Sequence, residues 1–240
     1  MNINAEAVDF QELNRRIKSS GEAELSIDNC MGQRYLGCGL SAGKLLIRGV
    51  PGNALGAYLD GAAITVYGNA QDSVGDTMNE GVIFIHGSCG DTPGYAMRGG
   101  KIFIKGNAGY RAGIHMKSYQ DKSPVLIIGG AAGSFLGEYQ AGGRIVVLGL
   151  GSGSKCPVGY FCGTGMHGGK IYLRCEELPS GLPAQVNARP AEKDDLREIE
   201  ADIEQFCREF NYAKGGILDH PFFVLSPNTK NPYRQLYVHC

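Results

Sequence analysis

His86 and Cys89, in "IHGSCG", stand three residues apart, a spacing that suits two ligands of one metal ion. Cys156 and Cys162 flank "PVGYF" and could form a redox pair or touch a neighbouring cofactor. "RIVVLGLGSGSKC", from Arg144, runs an aliphatic strand into Gly149, Gly151 and Gly153, as the opening of a nucleotide-binding turn does. Each has a plainer reading: a surface histidine beside a corner cysteine, two unpaired thiols, and a glycine-rich corner. His86 and Cys89 have no second pair at similar spacing. His115 and His167, in "GIHMK" and "GMHGG", read as equivalent loop positions of a repeat. No spacing of Ser, His and Asp suggests a nucleophile, so no catalytic residue is assigned.

Composition narrows the classes. The chain has 240 residues with 23 basic and 24 acidic side chains, a net charge of −1, which disfavours a nucleic-acid or anionic-membrane partner. Eight cysteines, at 30, 38, 89, 156, 162, 175, 207 and 240, include no Cys-x-x-Cys pair. No apolar run reaches the length of a membrane span, and the N-terminus lacks the apolar core of a signal peptide. The expectation is a cytoplasmic protein with reduced, packing cysteines that binds no metal or cofactor itself.

The 37 glycines call for a structural cause, because glycine is costly to order. Aliphatic runs close on Gly49, Gly68, Gly87 and Gly106, each 19 residues after the last. Further runs close on Gly129, Gly149 and Cys175 after steps of 23, 20 and 26. Two and four residues before each closing position stand only Val, Ile or Leu, from Leu45 and Ile47 through Val125 and Ile127 to Ile171 and Leu173. Alternate residues of a strand share a face, so these make two aliphatic columns around one interior. Glycines then recur in Gly49, Gly52 and Gly56; Gly68 and Gly75; Gly87, Gly90 and Gly94; Gly106, Gly109 and Gly113. They suit corners needing positive φ or close approach, and Asn53, Asn69 and Asn107 suit left-handed turns nearby. The repeat predicts a parallel β-helix of about seven to eight coils that buries a core no single copy could bury.

The same register turns Leu126, Ile128, Val146 and Leu148 outward as an apolar patch that needs cover. Residues 191–211 read as an amphipathic helix with Leu196, Ile199, Ile203, Phe206 and Phe210 on one face. This helix with its tail, or another protein chain, covers the patch. Asp9–Lys18 reads as a short helix capping the first coil, with Phe10, Leu13 and Ile17 inward.

The G-x-x-G-x-x-x-G pattern behind an aliphatic strand resembles the GXGXG family. That family includes the C-terminal domain of the glutamate synthase large subunit, stand-alone glutamate synthase-type and N-methylglutamate synthase subunits, and one of the subunits of formylmethanofuran dehydrogenase. The ending "PFFVLSPNTKNPYRQLY" is similar to stand-alone glutamate synthase-type members. The resemblance implies an all-β, single-stranded, right-handed parallel β-helix over 24–180, a helical cap over 1–23, and a helix and tail over 181–240 packed on it. It also implies a non-catalytic subunit that bridges amidotransferase and synthase subunits, with FMN and iron–sulfur clusters held by those partners. The other readings are a subunit of formylmethanofuran dehydrogenase or N-methylglutamate synthase, an independent β-helix enzyme, and a homo-oligomeric scaffold.

Overall fold

Short aliphatic strands at a fixed period build the sheet that positions everything else. The computed structural model describes residues 1–153 and 156–228. Strands β1 (Asn2–Asn4), β2 (Glu24–Met31), β3 (Lys44–Val50), β4 (Asp60–Tyr67), β5 (Glu80–Ile85) and β6 (Lys101–Ile104) are followed by β7 (Val125–Ile128), β8 (Ala141–Val147), β9 (Gly168–Arg174), β10 (Val186–Pro190) and β11 (Phe222–Pro227). Helices α1 (Phe10–Ser19), α2 (Lys193–Phe210) and α3 (Gly215–Leu218) complete the described elements. The chain is mostly β, with all eleven strands in one mixed sheet ordered β1-β2-β3-β4-β5-β6-β7-β8-β9-β11-β10.

From β1 to β9 each strand pairs in parallel with the next in chain order. The connecting turns bond likewise: Gly75 donates to the Leu55 carbonyl, Gly94 to Val74 and Gly113 to Pro93, each at 2.8 Å. Leu45, Ile64, Ile83 and Ile102 fall in one register column, as do Ile47, Val66, Ile85 and Ile104, all facing one core.

At β7 the expected columns shift by one. Ile102 pairs with Leu126 and Ile104 with Ile128, so Leu126 and Ile128 face the core and Val125 and Ile127 face outward. The closing residue is therefore Gly130, which donates to the Gly106 carbonyl at 2.8 Å. All four residues of β7 are buried, so no polar residue marks its phase. Cys30 pairs with Gly49, so the series also starts one copy earlier.

Both ends of the chain extend the sheet. Asp9 caps α1 by accepting from the Gln11 N–H at 2.9 Å, and Leu13 and Ile17 are buried while Phe10 is half-buried. The N-terminal segment also contributes β1, which no sequence signal marked. At the other end β11 lies antiparallel between β9 and β10, closing the edge that β9 would expose. The ending beyond 228, with Cys240, lies outside the described residues.

Candidate functional site

The outward face of β6–β9 is apolar and covered by this chain's own helix. Phe103, Ile127, Val146 and Tyr172 share an outward register column, and they pack with Leu148 against Ile199, Ile203 and Phe206 of α2. Of the four residues expected to form an outward patch, Val146 and Leu148 lie beneath α2, whereas Leu126 and Ile128 lie in the inner core; all four are fully buried. Ahead of α2's reach the same face turns polar, with Arg48 bonding Asp28 at 3.1 Å and resting over the Tyr67 ring.

Carboxylates on α2 meet basic residues on four strands and fix where the helix lies. Asp195 binds Arg189 of β10 at 2.6 Å, Glu198 binds Lys170 of β9 at 2.6 Å, and Asp202 binds Lys101 of β6 at 2.7 Å and Arg144 of β8 at 3.1 Å. Glu209 ends the series on His86 at 2.9 Å. The Arg189 guanidinium, aided by the Glu192 N–H, holds the buried Asp195 carboxyl down at about 2. Burial, together with the hydrogen bond to Glu198, pushes the Tyr172 phenol up.

The corner glycines divide by role. A Cβ on Gly52 would stand 2.2 Å from the Gly32 carbonyl oxygen, so the first two glycines of the pattern allow one turn of chain to rest on the last. Gly56, at the third place, has φ +64°. Asn53, Asn69 and Asn107 are not left-handed. Their side-chain oxygens instead accept backbone N–H groups of the following copy, Ser88 on Asn69 and Ala131 on Asn107 at 2.8 Å each. Left-handed non-glycine residues recur five residues after the closing residue, at Tyr35, Ala54, Ser73, Thr92, Arg111 and Phe135, and nine residues after it, at Tyr58, Thr77, Ala96, His115 and Tyr139. Phe161 takes the same place as Phe135 but twelve residues after Gly149, because of the insertion.

The candidate chemical pairs do not assemble as ligand sets. His86 is taken by Glu209 and lies edge-on to Phe210, while Cys89 is buried, and burial pushes its thiol up. His115 and His167 are not equivalent: Met116 and Met166 occupy the repeated position, and the histidines lie on opposite sides of it. Gly149, Gly151 and Gly153 all have positive φ, and the next described element is β9, not the helix a dinucleotide turn needs. Among the described residues no group of three or more His, Cys, Asp or Glu is placed to hold a metal.

The thiols do converge, with a different partner from the expected one. The neighbouring Cys175 thiol draws the half-buried Cys156 down to about 7, and Cys156 together with burial pushes Cys175 up. Cys162 is buried in the core, and its thiol is pushed up to about 12 by burial and by the nearby Cys156. Cys156 and Cys175 each line a separate surface cleft, of about 310 and 380 Å³.

An aromatic surface emerges where the left-handed corner positions become large. Arg111 rests 5.3 Å over Phe135, which stacks on Phe161 at 5.0 Å. His115 stacks on Tyr139 at 5.1 Å and meets Tyr95 edge-on. Tyr160 is 71% exposed and Phe161 53%. Where these carry Arg111, Phe135 and Phe161, the three preceding copies carry Ala54, Ser73 and Thr92 and the first carries Tyr35. The segments "AGYRAGIH", "GSFLGEY" and "VGYFCG" show the change once the period is known.

Stacked 19-residue turns, close-packed glycines and an own-helix cover define a repeat protein. The GXGXG motif family model matches residues 7–222, and the chain belongs to that family. It is 41% identical over 249 residues to an uncharacterised protein of Methanocaldococcus jannaschii, a match covering 98% of this chain and 95% of that one. Its fold is similar to a chain of the Methylorubrum extorquens formyltransferase/hydrolase complex FhcABCD, solved with methylofuran: TM-score 0.62 and 23% identity, over 82% of this chain and 71% of that one.

Proposed function

We propose that the chain is a non-catalytic scaffold subunit and that a partner protein docks on the surface of Arg111, Phe135, Tyr160 and Phe161. The left-handed conformation of the half-buried Phe135 and the exposed Phe161, stacked on one another beside Arg111, carries this reading. Left-handed backbone costs a bulky residue roughly 1 kcal/mol or more, and Ala54, Ser73 and Thr92 serve the same corner in three earlier copies. Aromatic rings with arginine are the residue types that dominate binding energy at protein interfaces.

We read the stacked turns as a right-handed parallel β-helix. Parallel pairing in chain order supports it, since parallel crossovers run right-handed in about 98% of cases. The complex would be of the glutamate synthase type, in the cytoplasm, with this chain bridging amidotransferase and synthase subunits that hold FMN and iron–sulfur clusters. Family membership and the similarity of the segment from Pro221 support that choice. The fold likeness to a chain of the formyltransferase/hydrolase complex favours a second reading, a subunit of a formyl-transferring complex. No helix among the described residues is long and apolar enough to cross a membrane.

The test is purification of the tagged chain from its own cells, with the co-eluting chains sequenced and the visible spectrum recorded. Flavin and iron–sulfur absorbance with amidotransferase and synthase chains is expected. Formyltransferase and hydrolase chains would select the second reading, and a colourless chain eluting alone would overturn both.

A further inference from the structure

We propose that Cys156 and Cys175 form a thiol–disulfide exchange site whose substrate is a low-molecular-weight disulfide. The two residues lie 19 apart, one repeat length, which brings them onto adjacent turns of the chain. Cys175 directly follows β9, and Cys156 stands where the chain rejoins the repeat after the insertion that follows β8. Val158 bridges to Ala132, two residues past Gly130, and the β8–β9 register continues to Cys175, so Cys156 lies on the turn next to Cys175. Cys156 is half-buried on a cleft lined also by Tyr160, Pro179 and Ser180, so a reagent can reach it. Cys175 is only 9% exposed and anchored in the core cluster, the arrangement of an attacking thiol beside a resolving one.

The chemistry balances. The Cys156 thiolate attacks one sulfur of the small disulfide, its S–S bond breaks, and the first small thiolate leaves and takes a proton. The Cys175 thiol gives its proton to solvent and attacks the Cys156 sulfur, and the second small thiolate leaves and is protonated. Two cysteine thiols lose two electrons in forming one disulfide, and the small disulfide is reduced to two thiols. The product staples the insertion after β8 to the end of β9.

Cys38 is also partly exposed and Cys240 lies outside the described residues, so the test uses the full chain carrying Cys38→Ser and Cys240→Ser. Treatment with the aromatic disulfide 5,5′-dithiobis(2-nitrobenzoate) should release two equivalents of chromophore while leaving no label on the protein. Peptide mapping should then show a Cys156–Cys175 link. Adding Cys175→Ser should halve the release and leave a stable mixed disulfide on Cys156, and adding Cys156→Ser should slow the reaction by at least about tenfold. Circular dichroism melts check that both variants fold; if Cys175→Ser does not, the peptide map of the two-site background decides alone. A label that stays on Cys156 with Cys175 present, or a Cys156–Cys162 link, would overturn the proposal.

Discussion

Asp202 on α2 accepts a 2.7 Å hydrogen bond from Lys101 on β6, joining residues 101 positions apart in the chain. Its other oxygen takes Arg144 of β8 at 3.1 Å, and Asp202 itself is only 3% exposed. One carboxylate thus fixes the helix across two strands that are not neighbours in the sheet. Asp202→Ala should cost about 3 kcal/mol, because two cations lose their partner at a nearly buried position. Urea denaturation measures the loss, and faster amide exchange confined to 193–210 would show that α2 is what loosens.

Asp195 sets an acid limit on the same helix. Its folded pKa of about 2 lies below the value of about 3.9 for an unfolded aspartate. Its contribution is therefore fully present above about pH 4 and is lost as the pH falls through about 2, on the order of 2 kcal/mol in all. Denaturant midpoints at stepped pH should fall more steeply over that window for the parent chain than for Asp195→Asn.

The glycines should separate by mechanism. Gly52→Ala drives a methyl to 2.2 Å from a backbone oxygen that cannot yield without moving the neighbouring turn, and should cost about 3 kcal/mol. Gly94→Ala has φ +73° but no atom nearer than 3.6 Å, so only left-handed strain remains, about 1 kcal/mol. Equal losses in paired thermal melts would refute the division.

Gln140 interrupts a buried methionine position. Met78, Met97, Met116 and Met166 occupy the same turn in other copies, each donating its N–H to a left-handed glycine three residues back, and all are fully buried. Gln140 is equally buried, and its side-chain oxygen has no partner among the described residues. Gln140→Met should raise stability by about 1 kcal/mol, by removing a buried unpaired acceptor and restoring an apolar column. A lower melting temperature would show that the amide's bonds to the Gly142 and Gly143 carbonyls matter more.

Where the period is regular, sequence and structure agree residue by residue: the columns from Leu45 to Ile104 follow from four closing glycines 19 apart. The register slips at β7, where an insertion shifts the count, four consecutive aliphatics give no alternation, and Gly129 and Gly130 both look like closing residues. Closing on Gly130 restores the following step, to Gly149, to 19. The amphipathic face of α2 is legible from Ile199, Ile203 and Phe206. Its acidic ladder is not, because helix carboxylates are ordinarily solvated and nothing local marks which ones meet a lysine on a distant strand. The aromatic surface stays hidden because a phenylalanine does not announce left-handed backbone as glycine does. The Cys156–Cys175 contact is written in the 19-residue spacing, but Cys162, only six residues from Cys156, is the more conspicuous neighbour in the chain.

The most direct test of the scaffold reading is quantitative recovery of partner chains from the source cell with the parent chain and with Tyr160→Ser/Phe161→Ser. Both side chains are largely exposed, so the double variant should keep the parent melting temperature. The account predicts that it loses at least about tenfold of the co-purifying subunits, as removal of two interface aromatics would cause. Undiminished recovery by a folded double variant would contradict docking on this face.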